Sequence, residues 1–68
     1  MSIKNFEDPE TLLVEDQAAR LLSVSPRTLQ AWRSEDRGPP YVRVGRSVRY
    51  LYAALLQWIA DHMCWPKS

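Results

Sequence analysis

The sequence has very little of what small proteins use to cross-link a fold. Its 68 residues contain one cysteine, Cys64, so no intramolecular disulfide can form. There is one histidine, His62, and together the two residues are too few to complete a four-ligand zinc site. We therefore expect no metal, and the domain must be stabilised by the packing of its helices and three tryptophans.

Long hydrophobic runs and catalytic motifs are also missing. No apolar run approaches the roughly 18 residues of a membrane-spanning helix, and the first ten residues, MSIKNFEDPE, have no apolar signal core. There is no phosphate-binding loop, no pair of carboxylates in an apolar stretch and no nucleophile beside a base. These absences predict a cytoplasmic protein that is not an enzyme and has no membrane partner, cofactor or small-molecule ligand.

Charge is unevenly distributed along the chain. The formal net charge is only +1, yet residues 25–52 carry six arginines against Glu35 and Asp36, whereas residues 1–24 are acidic. Arginine suits planar, bidentate partners such as phosphate and guanine. On charge alone, a solvated polar face explains the excess equally well.

Two short helices are predicted in the first half of the chain. Residues 15–22, EDQAARLL, have an apolar face and an acidic first turn, although Val14 before them cannot cap through its side chain. Ser25 and Pro26 are typical of a helix start, which predicts a second helix over residues 26–35. Two helices joined by about three residues indicate a helix-turn-helix.

A hairpin and a third helix are predicted to follow. We place the turn at 45–47 between strands 41–44 and 48–50, with the valines and Tyr50 on one face and Arg43 and Arg49 on the other. The last helix is expected over 52–64, ended by Pro66. The resulting division is a loose arm at 1–11, a domain at 12–65 and a tail at 66–68.

Three stretches carry a family resemblance: LLVEDQAARLLSVSPRTLQAWR, GPPYVRVGRSVRY and LLQWI. They resemble the excisionase or MerR-like helix-turn-helix family, which includes small AlpA-like regulators of mobile elements. The resemblance implies a single, mostly α domain of winged helix-turn-helix fold with a small β-hairpin wing, and double-stranded DNA as its partner. One departure is Ser23, where many members have glycine at the turn, so we expect a left-handed serine held at some cost.

The second helix is expected to read DNA. Five apolar residues of the helix pair are assigned to packing: Ala19, Leu22, Val24, Leu29 and Trp32. The polar faces are left to Arg27, Thr28, Gln30 and Arg33. Arginine can bond guanine, glutamine can bond adenine, and threonine can touch a thymine methyl or a phosphate. The alternative is an ordinary polar helix face.

The hairpin supplies the second set of candidate DNA contacts. Arg46 lies at the predicted tip, where it suits a narrow minor groove, and Arg43 and Arg49 can pair with phosphates. The alternative is that these arginines only keep an edge hairpin from pairing with other chains.

The resemblance implies an excisionase, also called a recombination directionality factor, encoded by a bacterium or phage. Such a protein bends attachment-site DNA together with neighbouring copies and directs an integrase, which is a tyrosine or serine recombinase. The sequence leaves room for no effector domain, and an apolar last helix that includes Leu56 can be core or a contact surface. An AlpA-like transcriptional regulator and a protein-interaction module without DNA binding are the alternatives.

Overall fold

Three helices and three short strands make up the part of the chain, residues 8–66, that the computed structural model describes. In chain order they are β1 (Leu12–Leu13), α1 (Glu15–Leu22), α2 (Pro26–Ser34), β2 (Val42–Val44), β3 (Ser47–Leu51) and α3 (Tyr52–Asp61). The antiparallel sheet has the order β1-β3-β2. The architecture confirms the predicted winged helix-turn-helix.

The first helix begins and ends as its sequence predicts. Val14 is the N-cap and makes no side-chain capping bond; instead its backbone N–H donates to Gln17 Oε1 at 3.0 Å. At the other end Ser23 adopts φ 58° and ψ 39°, and its N–H bonds to the carbonyl of Arg20. The predicted left-handed serine is confirmed, and it gives the tight turn into α2.

Capping fixes the start of α2. Ser25 Oγ accepts a hydrogen bond from the Thr28 N–H at 3.2 Å, and Pro26 occupies the first turn. The helix ends at Ser34, one residue before the predicted end, and Asp36 takes the left-handed conformation at φ 58°. Gly38 follows at φ 91°, packed so closely on Trp32 that a Cβ would lie 2.9 Å from the Trp32 Cβ.

A strand that the sequence did not predict joins the hairpin into a sheet. Leu12 pairs with Leu51, and Leu13 with Tyr50. The adjoining carbonyls of Pro9 and Thr11 accept hydrogen bonds from the N–H groups of Ala53 and Tyr52, the first residues of α3. These carbonyls supply the cap that Leu51 has no polar side chain to give. Residues 1–7 of the predicted arm and 67–68 of the predicted tail lie outside the described residues.

The hairpin register differs from the prediction by one residue. The turn contains two residues, Gly45 and Arg46, instead of three, with Gly45 at φ 62°. Arg43 therefore lies opposite Val48, while Arg49 lies opposite Val42. Because directly opposed residues share a face and the side-chain period is two, this single residue places Arg43 and Arg49 on opposite faces. The prediction of one basic face and one valine face was wrong.

The third helix is shorter than predicted, since it ends at Asp61 and not at residue 64. His62 adopts a non-helical conformation, its Nδ1 lies 2.8 Å from the Trp58 carbonyl oxygen, and its ring stacks on Trp58 at 4.1 Å. Pro66 also prevents the helix from continuing. It disfavours helical geometry at Trp65, and its ring would clash with the carbonyl of His62 in a helix. The segment after α3 leaves Trp65 75% exposed.

The core lies where the sheet meets all three helices. Its fully buried members are Leu13, Ala18, Ala19, Leu29, Tyr50 and Leu55, with Leu22, Val24, Trp32, Val48 and Tyr52 packed against them. All five residues predicted to pack the helix pair belong to this set. Ala18 and Ala19 have almost no exposed surface, so the small side chains allow α1 to approach its neighbours closely.

Candidate nucleic-acid interface

A groove of about 430 Å³ separates α2 from the hairpin and is closed at one side by the start of α1. Four predicted DNA-binding residues line it: Gln30 and Arg33 from α2, and Arg46 and Arg49 from the hairpin. Glu15 and Asp16 lie on the α1 side. The fold thus brings together residues from two elements that are far apart in sequence.

Glu15 connects the helices across this groove. Its Oε1 lies 2.9 Å from Arg33 Nη1, and its Oε2 accepts a hydrogen bond from Gln30 Nε2 at 2.6 Å. Gln30 and Arg33 are three residues apart, so one side of α2 presents both to the same carboxylate. Two of the four predicted recognition residues are therefore bonded to Glu15.

Arg33 has a second internal partner in the buried Tyr50, whose hydroxyl oxygen accepts from Nη1 at 2.7 Å. The Arg33 side chain is only 19% exposed. Burial lowers the pKa of Arg33, but the hydrogen bonds to Tyr50 and then Glu15 outweigh it, so the pKa is raised above its ordinary value. Arg33 thus stays charged and links α2 to both α1 and β3.

The N-terminal end of α2 is the freer part of this helix. Arg27 is exposed and has no ion-pair partner among residues 8–66. Thr28 is half-buried, and its hydroxyl lies 3.0 Å from Ser25 Oγ. Neither residue lines the groove. They lie at the end of α2 that helix-turn-helix proteins insert into the major groove.

The three hairpin arginines have different surroundings. Arg46 is exposed in the turn, without an ion-pair partner in the described part of the chain. Arg49 is half-buried and donates from Nη1 to the Val48 carbonyl at 3.0 Å. Arg43 is outside the groove and lies over the ring of Tyr41, with its Cζ 5.8 Å from the ring centroid. The tip, rather than a whole basic face, is the free cationic element of the hairpin.

The sequence model of the helix-turn-helix domain family matches residues 15–63. The chain belongs to the helix-turn-helix domain family. Its matched region runs from the first residue of α1 to just past α3 and includes the groove and the hairpin. The family includes small excisionase-like and AlpA-like DNA-binding proteins. Neither a curated protein nor a solved structure matched the chain.

Membership in this family supports sequence-specific DNA binding by the chain, and the family is typically non-enzymatic. Within residues 8–66, no three His, Cys, Asp or Glu side chains form a group that can hold a metal ion. The helices of that same region are too short or too polar to cross a membrane.

Sequence reasoning missed two residues that organise the groove. Glu15 was noted only as an acid near a helix N-terminus, and Tyr50 only as one residue of a strand face. Their roles depend on the angle between α1 and α2 and on the hairpin register, which no local pattern reports. A weak signal existed in Gln30 and Arg33, whose spacing of three residues allows one acid to bond both.

Proposed function

We propose that this helix-turn-helix protein is an excisionase that docks α2 in the major groove and its hairpin tip on the adjoining backbone or minor groove. The observation that carries the docking mode is a pair of exposed arginines without an ion-pair partner in residues 8–66, Arg27 at the start of α2 and Arg46 at the tip. Exposed cations placed at both ends of a DNA-facing surface release counterions from phosphates without first breaking an internal bond.

The remaining predicted contacts take different roles in this proposal. Thr28 and Gln30 face bases, and Arg49 approaches a phosphate from the groove. Arg43 lies on the other face of the hairpin and reaches only a phosphate beside the wing. Arg33, held by Glu15 and Tyr50, fixes the position of α2 and makes no direct bond to DNA.

The first experiment measures binding to a random-sequence duplex by anisotropy at 50 and 200 mM salt. We expect a log–log slope of about −4 to −5, as for 4–6 phosphate contacts. Arg27→Ala and Arg46→Ala should each weaken binding and make the slope shallower by about 0.9, because each removes one phosphate contact. Arg37→Ala is the matched control, since Arg37 pairs with Glu35 beyond the end of α2.

If Arg27→Ala and Arg46→Ala bind as tightly as the parent while Arg37→Ala weakens binding, the docking mode is wrong. Absence of binding at 50 mM salt favours a protein-interaction module.

The excisionase role adds neighbouring copies and an integrase as partners. Bending 20–30 base pairs costs on the order of 1–6 kcal/mol, which one small domain offsets poorly. In this proposal an apolar contact between neighbouring copies supplies the rest of the bending free energy. Exposed leucines are available for it on α3 and β1, with Leu56 44% and Leu12 46% exposed. The integrase then joins the bent complex.

Cooperativity tests this role. Duplexes with one or two adjacent copies of a selected site should show tighter binding per site when two are present. Leu56→Asp should keep single-site affinity and lose that gain, since it places a charge in the contact. Gln57→Lys, a charge change at the neighbouring exposed position that keeps a donor for the Asp61 carboxylate, should keep both.

In a plasmid assay with a tyrosine or serine recombinase, the parent should raise excision, and Leu56→Asp should raise it less. Equal cooperativity in the parent and Leu56→Asp removes α3 from the contact. Binding that leaves excision unchanged, with repression of a promoter carrying the site, identifies an AlpA-like regulator instead.

A further inference from the structure

An acidic side chain lies inside the surface that is proposed to receive DNA. Glu15 is 23% exposed, and its carboxylate faces Gln30 and Arg33 across the groove. A negative charge here repels phosphates and cancels the charge of Arg33, so by itself it lowers affinity for any DNA. The hydrogen bonds of Glu15 indicate a benefit to DNA recognition that offsets this loss of affinity.

The bond to Gln30 orients the side-chain amide. A glutamine amide has an acceptor at one end and a donor at the other, and the two ends exchange by a rotation. A carboxylate paired with arginine only accepts, so the orientation with Nε2 toward Glu15 is favourable and the reverse is repulsive. Glu15 therefore determines which way Oε1 and the second N–H of Gln30 face.

That orientation decides which base Gln30 can read. Bidentate recognition of adenine needs the amide oxygen at N6 and an N–H at N7, in a fixed order along the base edge. An amide free to rotate offers either order and discriminates less. The bond from Arg33 Nη1 to the same carboxylate, and on to Tyr50, fixes the position of α2 as well.

We propose that Glu15 is a specificity-determining positioning residue, which lowers overall DNA affinity and in return orients Gln30 and α2 for base reading. It acts through Gln30 and Arg33 and touches no base itself. The inference rests on the proposed use of α2 in the major groove.

The test compares a specific and a nonspecific duplex. A site is first enriched from a random-sequence duplex pool with the parent protein, and a scrambled duplex of the same composition is the reference. Glu15→Gln removes the charge and keeps the shape, but an amide at this position can pair with Gln30 in either orientation. We expect tighter binding to the scrambled duplex and a loss of about tenfold in the ratio of specific to nonspecific affinity.

Asp16→Asn is the matched control, because Asp16 borders the same groove and is exposed, with no bond to Gln30 or Arg33. It removes one negative charge and should raise both affinities alike, leaving the ratio at the parent value. Gln30→Ala should lower the ratio, and adding Glu15→Gln to it should lower the ratio by less than Glu15→Gln does in the parent, since the two residues share one contact. Thermal unfolding confirms that each variant is folded at the assay temperature.

An unchanged ratio in Glu15→Gln overturns the inference, as does an equal loss in Asp16→Asn. If Glu15→Gln does not fold, Glu15→Asp decides, because it keeps the charge and withdraws the carboxylate from Gln30 and Arg33: a ratio equal to the parent's overturns the inference, and a lowered ratio supports it. A parent that enriches no sequence overturns base reading by α2, and this inference with it. A parent that enriches a site lost in Gln30→Ala but kept in Glu15→Gln overturns this inference alone.

Discussion

Ser23 occupies the turn between α1 and α2 in a left-handed conformation, at φ 58° and ψ 39°. A residue with a Cβ pays about 1–2 kcal/mol for that conformation, whereas glycine adopts it freely. Ser23 is also exposed, so its side chain contributes no packing that a glycine would remove.

We therefore expect Ser23→Gly to raise the free energy of unfolding by about 1 kcal/mol, measured by urea denaturation. Ser25→Ala is the opposing control, since it removes the hydroxyl that caps α2 and should cost about 1 kcal/mol. A Ser23→Gly variant less stable than the parent contradicts this account of the turn.

The candidate site shows at the residue scale what the sequence was able to predict. Arg27 and Arg46 were identified because a cation at a helix start or a hairpin tip is exposed by local geometry alone. Arg33 was assigned to the DNA face from its place on the polar side of α2. Its two partners, Glu15 and Tyr50, come from other elements and leave no sign in the local sequence. Local pattern places a side chain on a face, but only tertiary packing shows what that face meets.

At the scale of elements, both helices of the helix-turn-helix pair were predictable, because caps and turn residues are local signals. The hairpin strands were also predicted, yet a turn one residue shorter than expected places Arg43 and Arg49 on opposite faces instead of one. The two-residue strand β1 carries no pattern of its own, since its identity comes from pairing with β3. Strand register and edge pairing are set by contacts that a sequence window does not contain.

Substitution of the two glycines separates the cost of backbone strain from the cost of steric overlap in the connections between elements. Gly45 has φ 62° with open space around its missing Cβ, while Gly38 has φ 91° and lies against Trp32. We expect Gly45→Ala to cost about 1 kcal/mol from backbone strain alone. Gly38→Ala should cost more, because a Cβ there displaces Trp32, which lies 5.8 Å from Trp58 between ring centroids.

Urea denaturation of the two glycine variants provides the comparison, with the parent beside them. Equal losses would mean that Trp32 moves aside freely, and would contradict the close packing of α2 on the connection to β2.

At the scale of the whole molecule, polar and apolar surfaces are divided between two sides of α1. Glu15 faces the arginine-lined groove, and Gln17 and Leu21 line a separate apolar groove with Leu13 and Tyr52. The proposed DNA surface and the exposed leucines thus lie on different sides of the domain, which leaves the apolar side open for the contact between copies that we propose.

The pairing of Leu12 with Leu51 has a consequence for how the chain folds. Leu13, at the beginning of the domain, pairs with Tyr50 near its end, and both belong to the buried core that Leu55 of α3 completes. During synthesis α1 and α2 therefore emerge before the residues that bury them, and their apolar sides stay open to solvent until then. The helix pair becomes stably packed only when the final third of the chain has been made, so a truncated product carries the helix-turn-helix sequence without its fold.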